Sequence, residues 1–317
     1  MQARQSLLIN SVVLACLIFI GFKTQAQEKN DSIRNVVLVG CTPGDSLIKS
    51  LLGIHPIAKV DFIRWNLRLN QRDSFVLTIA YGVAQANTQE FKTGGEIRSF
   101  NGEYISYRNS DANMRGDIYY LKGRSPIGVK LNIIKLNDNL YHLLTRDNQL
   151  IVGNGNWSYT LNRKDPVPEA SSVVPSLKAP STLLLNASRQ VIYEGRTPCL
   201  EISKAFQFSV TSDCFKIKWK LTLNRDPITL TPTTYQLRRS NNRMHEIKGN
   251  WTIIKGIPSN SNAVIFRLDP DIPEKSFSLL VGDQNVLFMM DRDNQLLTGN
   301  SEFSYTLNRR SGKNEKK

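Results

Sequence analysis

The segment Arg146 to Arg163, RDNQLIVGNGNWSYTLNR, returns as Arg292 to Arg309, RDNQLLTGNSEFSYTLNR, with 13 of 18 positions identical at an offset of 146 residues. A chain that carries the same closing segment twice is built from two copies of one folding unit. Its 317 residues leave room for two domains, each able to bury a core of its own. Within each copy RDNQL reads as a turn entering a strand, and SYTLNR as the last strand. In a closed sheet that strand must pair back to the first.

The rest of each copy is strand-like. Ile63, Trp65, Leu67 and Leu69 alternate with Arg64, Asn66, Arg68 and Asn70. Phe215, Ile217, Trp219, Leu221 and Leu223 alternate likewise with Lys216, Lys218, Lys220 and Thr222, and Trp219 stands where Trp65 stands. Period two over this length predicts a half-buried antiparallel strand. Glycine punctuation further divides residues 97–107 into strands 97–100 and 104–107, and residues 244–254 into strands 244–248 and 251–254. Leu47 to Leu52 makes one or two helical turns. Leu200 to Phe206 makes a second short helix, with Thr197 as its N-cap and Pro198 in its first turn.

About eight short strands per copy, with no long amphipathic helix, predict an all-β chain of two tandem antiparallel meander β-barrels. Closure removes the exposed edges that a small open sheet would leave. A sandwich is the alternative. The expected domains are residues 35–164 and 188–310. They are joined by a Pro/Ser-rich linker at 165–187, and a basic tail follows at 311–317.

Arg4, the apolar run Leu7 to Phe22, and small residues at Thr24 and Ala26 have the layout of a cleaved secretory signal over residues 1–26. Export to an oxidising compartment makes the sequence-local Cys199 and Cys214 the natural disulfide. It leaves Cys41 as a free thiol, either buried or reactive. The net charge of +14 is spread over both halves rather than gathered in a block. Nucleic acid is therefore not the expected partner, whereas peripheral contact with an acidic membrane surface is compatible with such a spread.

The second copy carries Gly195-Arg196-Thr197-Pro198-Cys199, the strand Leu221-Thr222-Leu223, Tyr235, and Gly249-Asn250-Trp251. Val264–Leu268, Phe288 and the turn Asp291-Arg292-Asp293 follow. The first copy keeps Gly40, Thr42-Pro43, Leu67, Leu69, Phe91, Gly102-Glu103-Tyr104 and Asp147-Asn148-Gln149-Leu150. On these residues the chain resembles the bacterial copper-resistance lipoprotein family called NlpE, over nearly its whole mature length. The resemblance implies a lipocalin-like barrel in each copy. It also implies a protein of the Gram-negative envelope, periplasmic or secreted, linked to copper tolerance or surface sensing and without an established enzymatic activity. The family's usual C-x-x-C is displaced here: Cys199 is followed by Leu200-Glu201-Ile202, and the second cysteine stands at Cys214. Cys41 falls opposite Arg196, so no matching disulfide is expected in the first copy.

No nucleophile elbow, zinc-protease motif, phosphate loop or dinucleotide fingerprint occurs. The three histidines, His55, His142 and His245, are far apart in sequence. Met289 and Met290 point to opposite faces of a strand and read as packing residues. Asp291 with Asp293, and Asp269 with Asp271, read as turn formers. The expectation is a non-enzymatic protein without cofactor or metal site, acting as a binding or sensing module on an envelope partner. The alternative is a carrier that holds a small apolar ligand in the lumen; the two readings separate on whether Trp65, Trp219 and the aliphatic ladder fill that lumen.

Overall fold

The computed structural model describes residues 35–310 apart from 87, 110–113, 125–127, 169–175, 178–187, 242 and 259. The expected signal segment, the polar leader to residue 34, the tail 311–317 and Leu183 to Leu185 lie outside the described residues.

The first copy runs β1 (Val36–Pro43), α1 (Ser46–Leu51), β2 (Phe62–Asn70), β3 (Ser74–Gly82), β4 (Glu96–Asn109), β5 (Met114–Gly123), β6 (Lys130–Asn137), β7 (Leu140–Leu144) and β8 (Thr160–Arg163). Each strand pairs with the next in antiparallel fashion, and β8 pairs back to β1, which closes eight strands into a barrel. The second copy repeats the plan: β10 (Gln190–Thr197), α2 (Leu200–Ala205), β11 (Ile217–Arg225), β12 (Pro232–Ser240), β13 (Met244–Ile257), β14 (Asn260–Leu268), β15 (Phe277–Val281), β16 (Val286–Met289) and β17 (Thr306–Arg310). It too is closed, with β17 pairing to β10. The fold is two closed antiparallel barrels, and the sandwich is excluded. Between them the linker contributes β9 (Ser176–Leu177), which pairs with Met114 and Arg115 of β5.

Two strand divisions differ from the sequence reading. β4 is one strand of 14 residues through Gly102, and β13 is one strand of 14 residues through Gly249. Neither glycine makes a turn. A Cβ at Gly102 would run into the Lys122 carbonyl and the Phe75 ring, and one at Gly249 into the Asp269 carboxylate and the Tyr235 ring. Glycine in these strands marks close approach of a neighbouring strand and its side chains.

The thread of each barrel interior is the tryptophan strand. In β2 Trp65 and Leu67 are buried while Asn66 and Arg68 face solvent. Trp65 Nε1–H donates to Thr42 Oγ1 at 2.8 Å, and Trp219 Nε1–H donates to Thr197 Oγ1 at 2.8 Å. A buried indole N–H needs such an acceptor, and this explains why Thr-Pro recurs at the end of the first strand. Thr197 is therefore a strand residue of the core and not the N-cap of α2; that position belongs to Cys199. Trp219, Leu221, Tyr235, Trp251, Phe266 and Leu279 belong to one packed cluster that occupies the second barrel.

Candidate functional site

The closing strands use both of their faces. Tyr159 and Leu161, like Tyr305 and Leu307, are buried toward their own barrels. Tyr159 Oη donates to Asp45 Oδ2, the N-cap of α1, at 2.5 Å, and Tyr305 Oη accepts from the Ile202 N–H of α2 at 3.3 Å. The residues between them, Ser158, Thr160 and Asn162, and Ser304, Thr306 and Asn308, point the other way and are also buried. What buries them is the other copy. Ser158 Oγ meets Ser304 Oγ at 2.6 Å, and Thr160 Oγ1 meets Thr306 Oγ1 at 2.8 Å. Each is a contact between equivalent positions, 146 residues apart.

Self-contact of equivalent residues is the signature of a two-fold, isologous interface, here between two halves of one chain. The flanking bonds obey the same symmetry. The Gly153 N–H donates to Asn308 Oδ1 at 2.7 Å, and the Gly299 N–H donates to Asn162 Oδ1 at 2.8 Å. A Cβ at either glycine would strike the carbonyl of Trp157 or Phe303. Asn154 and Asn300 tie the following turn through their side-chain oxygens, accepting from the backbone N–H groups two and three residues on.

Around this polar seam lies an apolar core shared by both barrels. Ile134, Leu140, Leu144 and Leu150 pack with Leu280, Val286, Met290 and Leu296, their counterparts at the same offset. β7, β15 and β16 are consequently buried on both faces. Met289 belongs to the barrel interior and Met290 to the seam. Fully burying one aliphatic side chain contributes about 1.5–3 kcal/mol. The shared cluster therefore outweighs any surface ion pair in holding the copies together.

His142 breaks the symmetry, since its counterpart is Phe288, against whose ring it stands edge-on at 5.6 Å. It is fully buried. Nδ1 lies 2.9 Å from Thr160 Oγ1 and Nε2 lies 2.9 Å from the Ile151 carbonyl oxygen. A carbonyl can only accept, so Nε2 carries the proton and Nδ1 accepts from Thr160. The hydroxyls then run in one direction, Ser158 to Ser304 to Thr306 to Thr160 to His142. Burial lowers the imidazole pKa to about 4. At neutral pH His142 is an uncharged member of this chain.

Beside the seam, Cys41 is buried, its Sγ 3.4 Å from Glu302 Oε2 and 3.5 Å from the Ser301 carbonyl oxygen. Burial, and next the adjacent Glu302 carboxylate, push the thiol well above its usual pKa, which disfavours the reactive thiolate. Arg64 closes the cluster, with Nε 3.2 Å from Glu302 Oε1 and Nη2 donating to the Gln89 carbonyl at 2.6 Å. The structure joins Cys199 to Cys214, with Cα atoms 6.0 Å apart. Both thiols that could have formed a soft-metal clip are thereby consumed, and the residues present do not fit a copper site at that motif. Among the described residues no three His, Cys, Asp or Glu side chains converge as metal ligands.

The carboxylates singled out in the sequence hold backbone and core. Asp291 Oδ1 accepts from the N–H groups of Asp293 and Gln295 at 2.9 and 2.8 Å, and Asp269 Oδ2 accepts from Tyr235 Oη at 2.5 Å. The groups brought together at the seam are thus Ser158 and Thr160 with their equivalents, His142 against Thr160 and the Phe288 ring, and Cys41 against the closing turn of the other copy. Sequence reasoning missed that meeting, although it had singled out His142 and Cys41.

Fold and seam together define a tandem barrel protein in which one chain forms a pseudo-two-fold pair of eight-stranded antiparallel barrels. Residues 208–300, within the second barrel, match the family model of the NlpE N-terminal domain. No curated protein and no solved structure matches the chain.

Proposed function

We propose that the chain is an exported, non-enzymatic protein of the bacterial envelope that works as an NlpE-like binding or sensing module. The observation that carries this reading is the match of the second barrel to the NlpE N-terminal domain. The Cys199–Cys214 bond supports it, since such a bond persists in an oxidising compartment. A role in envelope stress or copper tolerance fits the same family. With both cysteines of the motif consumed, that role would not run through copper held there.

The carrier reading is weaker. Trp219, Trp251, Phe266 and Tyr305 pack together inside the second barrel, where a ligand would have to lie. A module of this kind holds its partner with outer strands and turns. Fractionation of the producing cell tests the compartment: mature chain in the envelope fraction, with Cys199 and Cys214 oxidised, is the expected result. Reduced chain in the cytoplasm would overturn it. Titration with a fluorescent fatty acid tests the ligand, and saturable one-to-one uptake would shift the reading to a carrier.

A further inference from the structure

On the outer face of the second barrel, cross-strand register places Arg196, Lys218, Ser240 and Met244 in one row and Glu194, Lys220, Arg238 and Glu246 in the next. The second row is internally balanced. Glu194 lies 3.8 Å from Lys220 and 3.6 Å from Arg310, while Glu246 lies 2.6 Å from Arg238 and 3.0 Å from Lys248. In the first row the only charges are positive, on Arg196 and Lys218. Among the described residues no carboxylate forms an ion pair with Arg196 or Lys218. Lys216 joins them just ahead of β11, its pKa lowered by burial and then by the charges of Arg196 and Lys218. Arg196 is half-buried and set over the Trp157 ring at 5.5 Å, so its guanidinium is held in place before any ligand arrives.

These cations border two adjoining hollows of about 290 and 370 Å³, both of which touch Lys218 and Ser240. Two carboxylates stand beside them: Glu194, already paired with Lys220 and Arg310, borders the smaller hollow, and the exposed Asp213 stands at the rim of the larger.

The first barrel shows what a neutralised version of this place looks like. Cys41 and Arg64 form the cross-strand pair there that Arg196 and Lys218 form here. Arg64 is paired by Glu302, which reaches across the seam from the closing turn of the other copy. The residue of the first copy's turn at the same offset is Asn156, which also lines the smaller hollow. At this cross-strand pair and the turn that faces it, the second barrel therefore has one more cation and one fewer carboxylate than its twin.

We infer that the smaller hollow, formed by Arg196, Lys218 and Ser240 with Asn156 and continued by the adjoining hollow that Lys216 borders, is an anion site that binds a phosphate group, free or as the headgroup of a lipid. Arginine and lysine side chains suit the several charged oxygens of phosphate better than a single carboxylate, and the Ser240 hydroxyl supplies a further donor. This inference goes beyond the envelope reading and does not depend on it.

The test uses the full mature chain at low ionic strength. Orthophosphate binding is followed by calorimetry, and binding to phosphatidylglycerol against phosphatidylcholine vesicles by co-sedimentation. Two variants report on the site. Lys218→Ala removes an exposed cation and is expected to weaken binding at least tenfold. Asn156→Glu installs the carboxylate that the other barrel supplies, and is expected to abolish binding while leaving the melting temperature unchanged or higher. Phosphate binding without vesicle binding identifies a soluble ligand. Selective capture of phosphatidylglycerol vesicles without orthophosphate binding identifies a lipid headgroup. Absence of binding to either probe, equal affinity in both variants and wild type, or preference for a duplex oligonucleotide over both probes would overturn the inference.

Discussion

His142 offers the sharpest perturbation of the seam. Its imidazole is neutral in the folded chain because burial lowers the pKa to about 4, against 6.5 for a free imidazole. Between those two values the unfolded chain binds a proton that the folded chain refuses. Stability from this residue is therefore complete above pH 6.5, falls as pH drops through the window, and reaches its floor near pH 4. The full shift corresponds to a loss of about 3 kcal/mol. Carboxylates titrate in part of the same window, so the measurement is a difference. Wild type and His142→Phe, which copies Phe288 at the equivalent position, are unfolded with urea at several values from pH 7.5 to 4. The variant starts lower, because the Thr160 hydroxyl and the Ile151 carbonyl each lose a partner at a cost of about 1–3 kcal/mol. Its stability then falls about 3 kcal/mol less than that of wild type over the range. Parallel curves for the two proteins would refute the buried, neutral assignment.

Other outcomes follow from the same geometry. Replacing both Cys199 and Cys214 by serine removes a crosslink across 15 residues, a loss of about 3 kcal/mol on the chain-entropy estimate, read as a lower urea midpoint. Gly102→Ala and Gly249→Ala each force a methyl group into backbone or buried side chains, and each is expected to destabilise by about 1–3 kcal/mol. Melting temperatures equal to that of wild type would contradict the close-approach reading. Cys41 is expected to resist a thiol reagent in native buffer and to react fully in denaturant; rapid native labelling would show it to be accessible.

Much of this architecture can be read from the residues, because alternation and a repeated closing segment are local signals. The tryptophan strands, the eight-strand meander and the return of SYTLNR to the first strand all follow from period two and from closure. The seam does not, since contact between two copies leaves no periodicity in either. Its trace is nevertheless present. Leu140 to Leu144 and Val286 to Met290 are nearly continuous apolar runs, which in a strand signal burial on both faces. Ser158, Thr160 and Asn162 also recur unchanged on the face that closure alone would leave free to vary. Closure accounts for Tyr159 and Leu161, whereas contact between the copies accounts for the three polar residues. Gly102 and Gly249 misled for a different reason: glycine marks a turn and a close backbone approach equally well, and only the neighbouring strand distinguishes them.

The repeated segments meet each other, residue on equivalent residue, within one chain. Ser158→Cys and Ser304→Cys, introduced together with Cys41→Ala, place two thiols where the hydroxyl oxygens now stand 2.6 Å apart. Mild oxidation followed by peptide mass spectrometry of the monomer is predicted to find residues 158 and 304 joined in the same chain, with Cys199–Cys214 intact. Two freely alkylated thiols at those positions, or a crosslink found only between separate chains, would contradict it.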